Sequence, residues 1–374
     1  MMGDYDLESM VAGISRWVSI ESPTSAPEAV NRMLDAVAAE VAGDGGIAIE
    51  RIAGTAGLGD VLVLRAGPVG GARGPLVLSH VDTVHPIGTL DRDLPVRRDG
   101  DRLYGPGVYD MKGGAYLALA AFRAAARLSR GKPMTFVFTA DEEIGSPTTR
   151  DLIETLGRQA SHVLVTEPAR DGGRCVTARK GVGRFDVTIE GRPAHSGARH
   201  ADGRSAIREA AHQILAVEGM TDYARGVTTT VGTVSGGTAA NVIPQHARFA
   251  VDLRVVTVAD GEAFAARILG LKPVDPDVRI TITGGMNRPP YEKTHDVAAL
   301  YDTARSIAAG LGFDLMDVPL TGGGSDGNFT AALGIPTLDG LGIDGEGAHT
   351  LQEHGLVSSI VPRARLMEGL LKAL

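Results

Sequence analysis

An α/β architecture, a mostly parallel-sheet core with an inserted β-α-β-β-α-β domain, is predicted by three features of the 374-residue chain. Short apolar runs alternate with helical stretches through residues 47–168, as in strands joined by covering helices. Near Lys180 the pattern changes to strict alternation, as in RFDVTIEG, where Phe185, Val187 and Ile189 share one face. Side chains carrying carboxylates and imidazoles follow the strands of the first region. They should therefore gather along the carboxyl edge of its sheet, where the sites of open α/β sheets form.

The elements follow in order. From Asp6 to about Ala42 apolar residues recur at helical spacing, and SIESPTSAP separates two helices. IAIERIA and DVLVLRA read as strands, and PLVLSHVDT as a strand entering a loop. The Ala-rich stretch 113–129 reads as a helix. PMTFVFTADEE and SHVLVTEP are two further strands running into loops. The second region contains RFDVTIEG, a helix at about 205–218, the alternating VTTTVGTVSGG and HARFAVDLRVV, the helical GEAFAARILGL and the strand VRITITGG. That order makes a compact unit. Residues 181–290 are expected to form it, inserted into a domain of residues 1–180 plus 291–374. The helix HDVAALYDTARSIAAGLG returns to that first domain.

Composition narrows the function. Hydrophobic residues are 43% and charged residues 22%, as in ordinary globular proteins. The net charge of −8, without a Lys/Arg block, argues against nucleic acid as a partner. The only cysteine, Cys175 in GGRCVTA, excludes an intrachain disulfide and reads as a packing residue. The start, MMGDYDLESM, is acidic and lacks an apolar segment, and no window approaches a membrane span. A cytoplasmic chain without a membrane partner is expected.

Five stretches carry chemistry: SHVDTV with His80 and Asp82, YGPGVYDMKGG with Asp110, TADEEIGS, VTEP with Glu167, and GEGAHTLQEH with His349. Imidazoles and carboxylates without thiolate suit a borderline-hard divalent metal. Cations would hold the adjacent acids Asp141, Glu142 and Glu143 together. One carboxylate can bridge two ions, and of the adjacent glutamates one can bind metal while the other takes a proton from water.

At these motifs, together with GRPAHSG and GGGSDGN, the chain resembles the zinc-dependent aminoacylase and carboxypeptidase family. That family includes glutamate carboxypeptidase, acetylornithine deacetylase and succinyl-diaminopimelate desuccinylase. YGPG, TADEE, ANVIP and GGGSD place the resemblance nearest the glutamate carboxypeptidase branch. The resemblance implies a metallohydrolase core and two divalent metal ions per chain, zinc with cobalt or manganese as alternatives. Asp110 matches the bridging ligand. His80 and Glu167 match the remaining ligands of one metal, and Glu143 and His349 those of the other. Glu142 matches the general base and Asp82 the acid that orients His80, and a cis peptide bond follows Asp110. His195, in GRPAHSG, matches an oxyanion donor reaching a partner subunit's site, so a homodimer through the inserted dimerisation (lid) domain is implied. Asn241 and Arg254 match carboxylate-binding residues, an arginine fork suiting a carboxylate bidentately.

Some positions fall outside this pattern. His85, His200 and His354 match no family role and are expected at the surface. GGGSDG lacks the spacing of a phosphate loop and reads as a close-approach loop supported by Ser325 and Asp326. ARKGVG departs from the small Ser/Thr-containing segment of glutamate carboxypeptidases; Arg179 and Lys180 either serve a second acidic group or flank the hinge. The function implied is a dinuclear-zinc amidohydrolase or carboxypeptidase, glutamate carboxypeptidase-like. It would cleave the amide bond of an N-acyl amino acid or small peptide with a free carboxylate. The alternatives are an N-acetylamino-acid deacetylase, a non-catalytic protein that binds amino-acid derivatives, and a nucleotide-binding protein using GGGSDG.

Overall fold

The computed structural model describes residues 3–68, 73–128 and 132–374. These fall into two compact units. One comprises Met1–Ala178, Lys293–Thr321 and Ser325–Leu374, and the other Arg179–Glu292 with Gly322–Gly324.

The first unit is built on a six-stranded, parallel-rich sheet. Leu76–His80 pairs in parallel with Met134–Thr139 on one side and Val163–Val165 on the other, and Thr337–Leu338 extends the parallel set. Val61–Ala66 runs antiparallel to Met134–Thr139, and Ile47–Ile52 antiparallel to Val61–Ala66. The link 53–60 explains the pairing of Ile47–Ile52 with Val61–Ala66: it is too short for the crossover of a dozen or more residues that a parallel pair needs.

Successive strand residues alternate between two buried faces. Leu62, Leu64, Val77, Phe136, Phe138 and Leu164 enter one core. Val61, Val63, Leu76, Leu78, Val137, Val163 and Val165 enter the other. Helices Leu7–Val18, Pro27–Val41, Gly113–Leu128, His295–Gly310 and Val357–Ala373 supply the first core. Arg150–Gln159 and Phe329 cover the second. Burial on both faces is why these strands read as continuous apolar runs. The helix expected over 113–129 spans Gly113–Leu128, and Ser129 lies outside the described residues.

The second unit has the β-α-β-β-α-β order. Its antiparallel sheet runs Thr228–Gly236, His246–Val255, Gly181–Glu190, Arg279–Arg288. Phe185, Val187 and Ile189 share a core with Phe249, Val251 and Leu253, covered by Ala206, Ala210 and Val217 of one helix and Phe264 and Ile268 of the other. Ser205 and Thr257 cap those helices by accepting the backbone N–H groups of Arg208 and Asp260. Among the described residues no helix is long and apolar enough to cross a membrane.

Candidate active site

Strand register assembles the site of the first unit. His80 closes its strand opposite Thr139, the last residue of the strand before Asp141, Glu142 and Glu143. Leu78 faces Val165, two residues before Glu167. Asp110 arrives on the turn that enters helix Gly113–Leu128, across a cis bond to Met111. Gly114 lets that helix start close to the Glu167 segment, because a Cβ there would lie 2.2 Å from the Thr166 carbonyl oxygen. His349 adopts a left-handed φ of 64°, uncommon for a side-chain-bearing residue and frequent at functional sites.

Asp110 divides its oxygens between two histidines. Oδ1 lies 3.2 Å from His80 Nε2, and Oδ2 lies 3.4 Å from His349 Nε2. His80 Nε2 is also 3.7 Å from Glu167 Oε1, and His349 Nε2 is 3.2 Å from Glu143 Oε2. Donor atoms of His80, Asp110 and Glu143 lie within 4.8 Å of one another, as do those of His80, Glu142 and Glu167. Glu142, the expected base, thus stands as near a metal position as the expected ligands do.

The electrostatics are those of crowded acids short of positive charge. Burial opposes ionisation of Asp110, but hydrogen bonds from His349 and His80 outweigh it and hold its carboxyl well below the usual range. Asp110 and Glu143 raise the His349 imidazole to about 11. Burial works against the charged form of His80, yet Asp110 and Asp82 raise it well above the ordinary imidazole value. Burial pushes Glu143 up despite its bond to His349. Its Oε1 is buried without a hydrogen-bond partner. Such an orphaned polar atom costs about 1–3 kcal/mol, more when charged. Nitrogen and carboxylate donors around an unpartnered oxygen fit a divalent cation.

Asp82 joins the strand ends. Its own backbone carbonyl is nearer His80 Nδ1, at 2.9 Å, than its carboxylate, at 3.4 Å. The carboxylate accepts the backbone N–H of Glu142 at 3.3 Å, that of Glu143 at 3.2 Å and the Thr24 hydroxyl at 2.7 Å. SIESPTSAP is therefore more than a helix break. Thr24 braces Asp82, and Ser22 donates to the Val81 carbonyl. Lys112, buried and lowered to about 7 by burial, donates to the Ile20 carbonyl of the same segment.

Several expectations are corrected. Asp141 needs no cation. It accepts from the Thr148 backbone N–H and the hydroxyls of Thr148 and Thr149, tying the TADEEIGS loop to its exit. His85 and His354 are buried rather than at the surface, His85 because it pairs with buried Glu353 and His354 because its ring packs on Tyr104. His200 is exposed, and Cys175 is buried, its thiol pushed to about 12 by burial. Asp326 accepts from Thr139 and Ser146, and Ser325 donates to Asp339 at 2.5 Å, so this part of GGGSDG braces the glutamate loop.

In the second unit, the His195 and Asn241 segments run side by side. His195 bridges Val242, and the Ser196 N–H donates to the Asn241 carbonyl at 3.0 Å. His195 is exposed, and its Nδ1 accepts the N–H groups of Gly197 and Ala198 at 3.2 and 3.1 Å. The ring is thereby fixed as the tautomer with its proton on Nε2 when neutral. Arg254 is already paired: Nε and one terminal nitrogen grip Asp252 at 2.7 and 2.9 Å, and the other donates to the Gly322 carbonyl. The two share a strand face at i, i+2, a pairing single-sequence reading did not register. Buried Arg179 donates to the Gly323 carbonyl and Lys180 to that of Gly226, so both engage backbone of their own unit.

A family model described as Peptidase family M20/M25/M40 matches residues 76–373. Carboxypeptidase G2 of Pseudomonas sp. (strain RS-16) is 30% identical over 304 residues, covering 79% of this chain and 72% of that one. Acetylornithine deacetylase of Myxococcus xanthus is 35% identical over 208 residues, covering 52% and 53%. The crystal structure of a tripeptidase from Staphylococcus aureus superposes with a TM-score of 0.78 at 21% identity over 99% of both chains, a likeness of fold. With the family model spanning the whole acid and histidine cluster, the chain belongs to peptidase family M20/M25/M40 and is a metal-dependent hydrolase of peptide or amide bonds.

Proposed function

We propose that the chain is a dinuclear-zinc amidohydrolase, glutamate carboxypeptidase-like, cleaving the amide bond of an N-acyl amino acid or small peptide with a free carboxylate. The observation that carries it is Asp110, one carboxylate oxygen toward His80 and the other toward His349. Asp110, His80 and Glu167 would hold one ion, and Asp110, Glu143 and His349 the other. Bound metal supplies Lewis acidity toward the scissile carbonyl and toward water.

The chain's own groups do the rest. Glu142 takes a proton from water and passes it to the leaving amine. Its backbone, pinned by Asp82, keeps that carboxylate at the cluster. His195 offers Nε2–H to the developing oxyanion, a donor made available by the two backbone bonds to Nδ1. Asn241 and Arg254 hold the substrate's free carboxylate, which for Arg254 means exchanging the Asp252 carboxylate for that of the substrate.

Assembly as a homodimer through the second unit is part of the reading. Its edge strand Thr228–Gly236 leaves Val234 62% exposed, and the neighbouring helix Ala206–Glu218 leaves Leu215 73% exposed. Unpaired edges carrying apolar side chains are sites for pairing with another chain.

The deacetylase reading keeps one support, the 35% identity to acetylornithine deacetylase over about half of each chain. Kinetics on a panel of N-acyl amino acids, varying acyl and amino-acid parts separately, tests the choice. Activity tracking the amino-acid carboxylate across several acyl groups is expected. Restriction to acetyl groups would favour the deacetylase.

A further inference from the structure

Beneath the cluster lies a carboxylate with no ascribed role. Glu353 is 1% exposed and makes four hydrogen bonds. Oε1 accepts the backbone N–H groups of Tyr109 at 2.9 Å and Asp110 at 3.0 Å. Oε2 accepts the Gly107 N–H at 2.9 Å and faces His85 Nε2 at 2.8 Å. Backbone N–H groups can only donate, so three of the four positions demand acceptor oxygens. An acceptor-only carboxylate in turn makes His85 Nε2 the fourth donor.

Glu353 and its partners come from three chain segments, each carrying a candidate metal ligand or its support. His85 follows the SHVDTV loop of His80 and Asp82. Gly107, Tyr109 and Asp110 form the turn that presents Asp110. Glu353 itself stands four residues after His349, across turns closed by the bonds Thr350 N–H to Gly347 carbonyl and Glu353 N–H to Thr350 carbonyl. A single buried anion thus registers the Asp110 backbone against the His349 loop and both against the His80 loop.

We propose that Glu353, with His85 behind it, is a positioning residue: it sets the separation of Asp110 from His349, and so the geometry offered to metal. The inference rests on the metal-ligand reading of Asp110 and His349. Buried groups that orient metal ligands are worth about 10- to 100-fold in metal affinity or activity. In Glu353→Gln an amide NH2 replaces one acceptor and meets N–H groups that can only donate.

Zinc affinity is measured by competition with a chromophoric chelator for the wild type, Glu353→Gln, His85→Ala, Asp110→Asn and Glu368→Gln. Glu368 is the control, a buried carboxylate away from the cluster that accepts the Gly3 N–H and the Tyr5 hydroxyl. Glu353→Gln should weaken zinc about 10- to 100-fold. It should lower kcat more than it raises KM, and alter the absorption spectrum of the cobalt-loaded protein. His85→Ala, which removes one bond of four, should weaken zinc roughly three- to tenfold, and it carries the test if Glu353→Gln does not fold. Glu368→Gln should lower the thermal midpoint of the metal-free chain and leave zinc affinity unchanged. Wild-type zinc affinity in Glu353→Gln or His85→Ala, with Asp110→Asn impaired, overturns the positioning role. Wild-type affinity in Asp110→Asn overturns the metal reading beneath it.

Discussion

The Glu142 backbone N–H donates to Asp82 Oδ1 at 3.3 Å, and that same oxygen lies 3.4 Å from His80 Nδ1. One buried carboxylate therefore couples the expected base to an expected ligand. Asp82→Asn would turn an NH2 group toward either the Glu142 N–H and His80 on one side or the Glu143 N–H and Thr24 on the other. Steady-state kinetics should give a kcat lower by about 10- to 100-fold, with a parallel loss of zinc affinity. Unchanged values in both would leave Asp82 as a turn cap.

The adjacent glutamates should separate by what each mutation removes. Glu142→Ala should retain metal, measured by elemental analysis, and lose turnover by about two orders of magnitude or more. Glu143→Ala should lose affinity for one ion. Donor atoms of Glu142, His80 and Glu167 lie within 4.8 Å of one another, which makes this a real contest. Metal loss in Glu142→Ala with retained turnover would exchange the two roles.

Metal binding should depend on pH with a definite sign. Asp110 and Glu143 raise His349 to about 11, and His80 is raised as well. Above the ordinary imidazole value of about 6.5 these rings still hold protons in the metal-free chain, and a metal must displace them. Zinc addition at neutral pH should release protons, and apparent affinity should rise by about tenfold per pH unit for each proton displaced. The metal-free chain shows the linked effect. The His349 contribution to stability is complete below the ordinary imidazole value and is lost as pH rises through about 11. The Asp110 contribution, from a lowered carboxyl, is present above the ordinary carboxylate range and lost in acid. pH-stat titration and thermal unfolding across pH check both, and zinc binding without proton release would contradict them.

Sharing of the site across a dimer is tested by mixing subunits. Glu142→Ala and His195→Ala homodimers should each be nearly inactive, and verified heterodimers should recover activity. No recovery would leave His195 without a role in trans.

Arg254 makes a two-sided test because Asp252 occupies its fork. If Arg254 binds substrate carboxylate, Arg254→Ala should lower kcat/KM by about one to two orders of magnitude, the worth of a charge-assisted pair. Arg254→Lys should recover only part. Asp252→Asn, which weakens the internal competitor, should lower KM for free-acid substrates and leave amidated ones unchanged. Equal hydrolysis of free-acid and amidated substrates by the wild type would remove the carboxylate clamp.

What could be read in advance followed chemistry that is local in sequence. Strands buried on both faces announce themselves as apolar runs, so Leu76–His80 and Met134–Thr139 and the loops beyond them were legible. The antiparallel pairing of Ile47–Ile52 with Val61–Ala66 was not, because pairing direction is decided by the connection rather than by the strand. Asp141 looked like Glu142 and Glu143 in the sequence, yet its hydrogen bonds to Thr148 and Thr149 give it a different task. Glu353 and His85 were invisible as a pair, since 268 positions separate them. Thr24 was hidden in a stretch that reads as a helix break.

Titration of the metal-free chain with zinc, followed calorimetrically for the wild type and Asp110→Asn, tests the proposal that Asp110 serves two ions. The wild type should bind about two ions per chain, and loss of the shared Asp110 carboxylate should weaken both. A single equivalent in the wild type, or two tight equivalents in Asp110→Asn, would contradict a dinuclear centre built on Asp110.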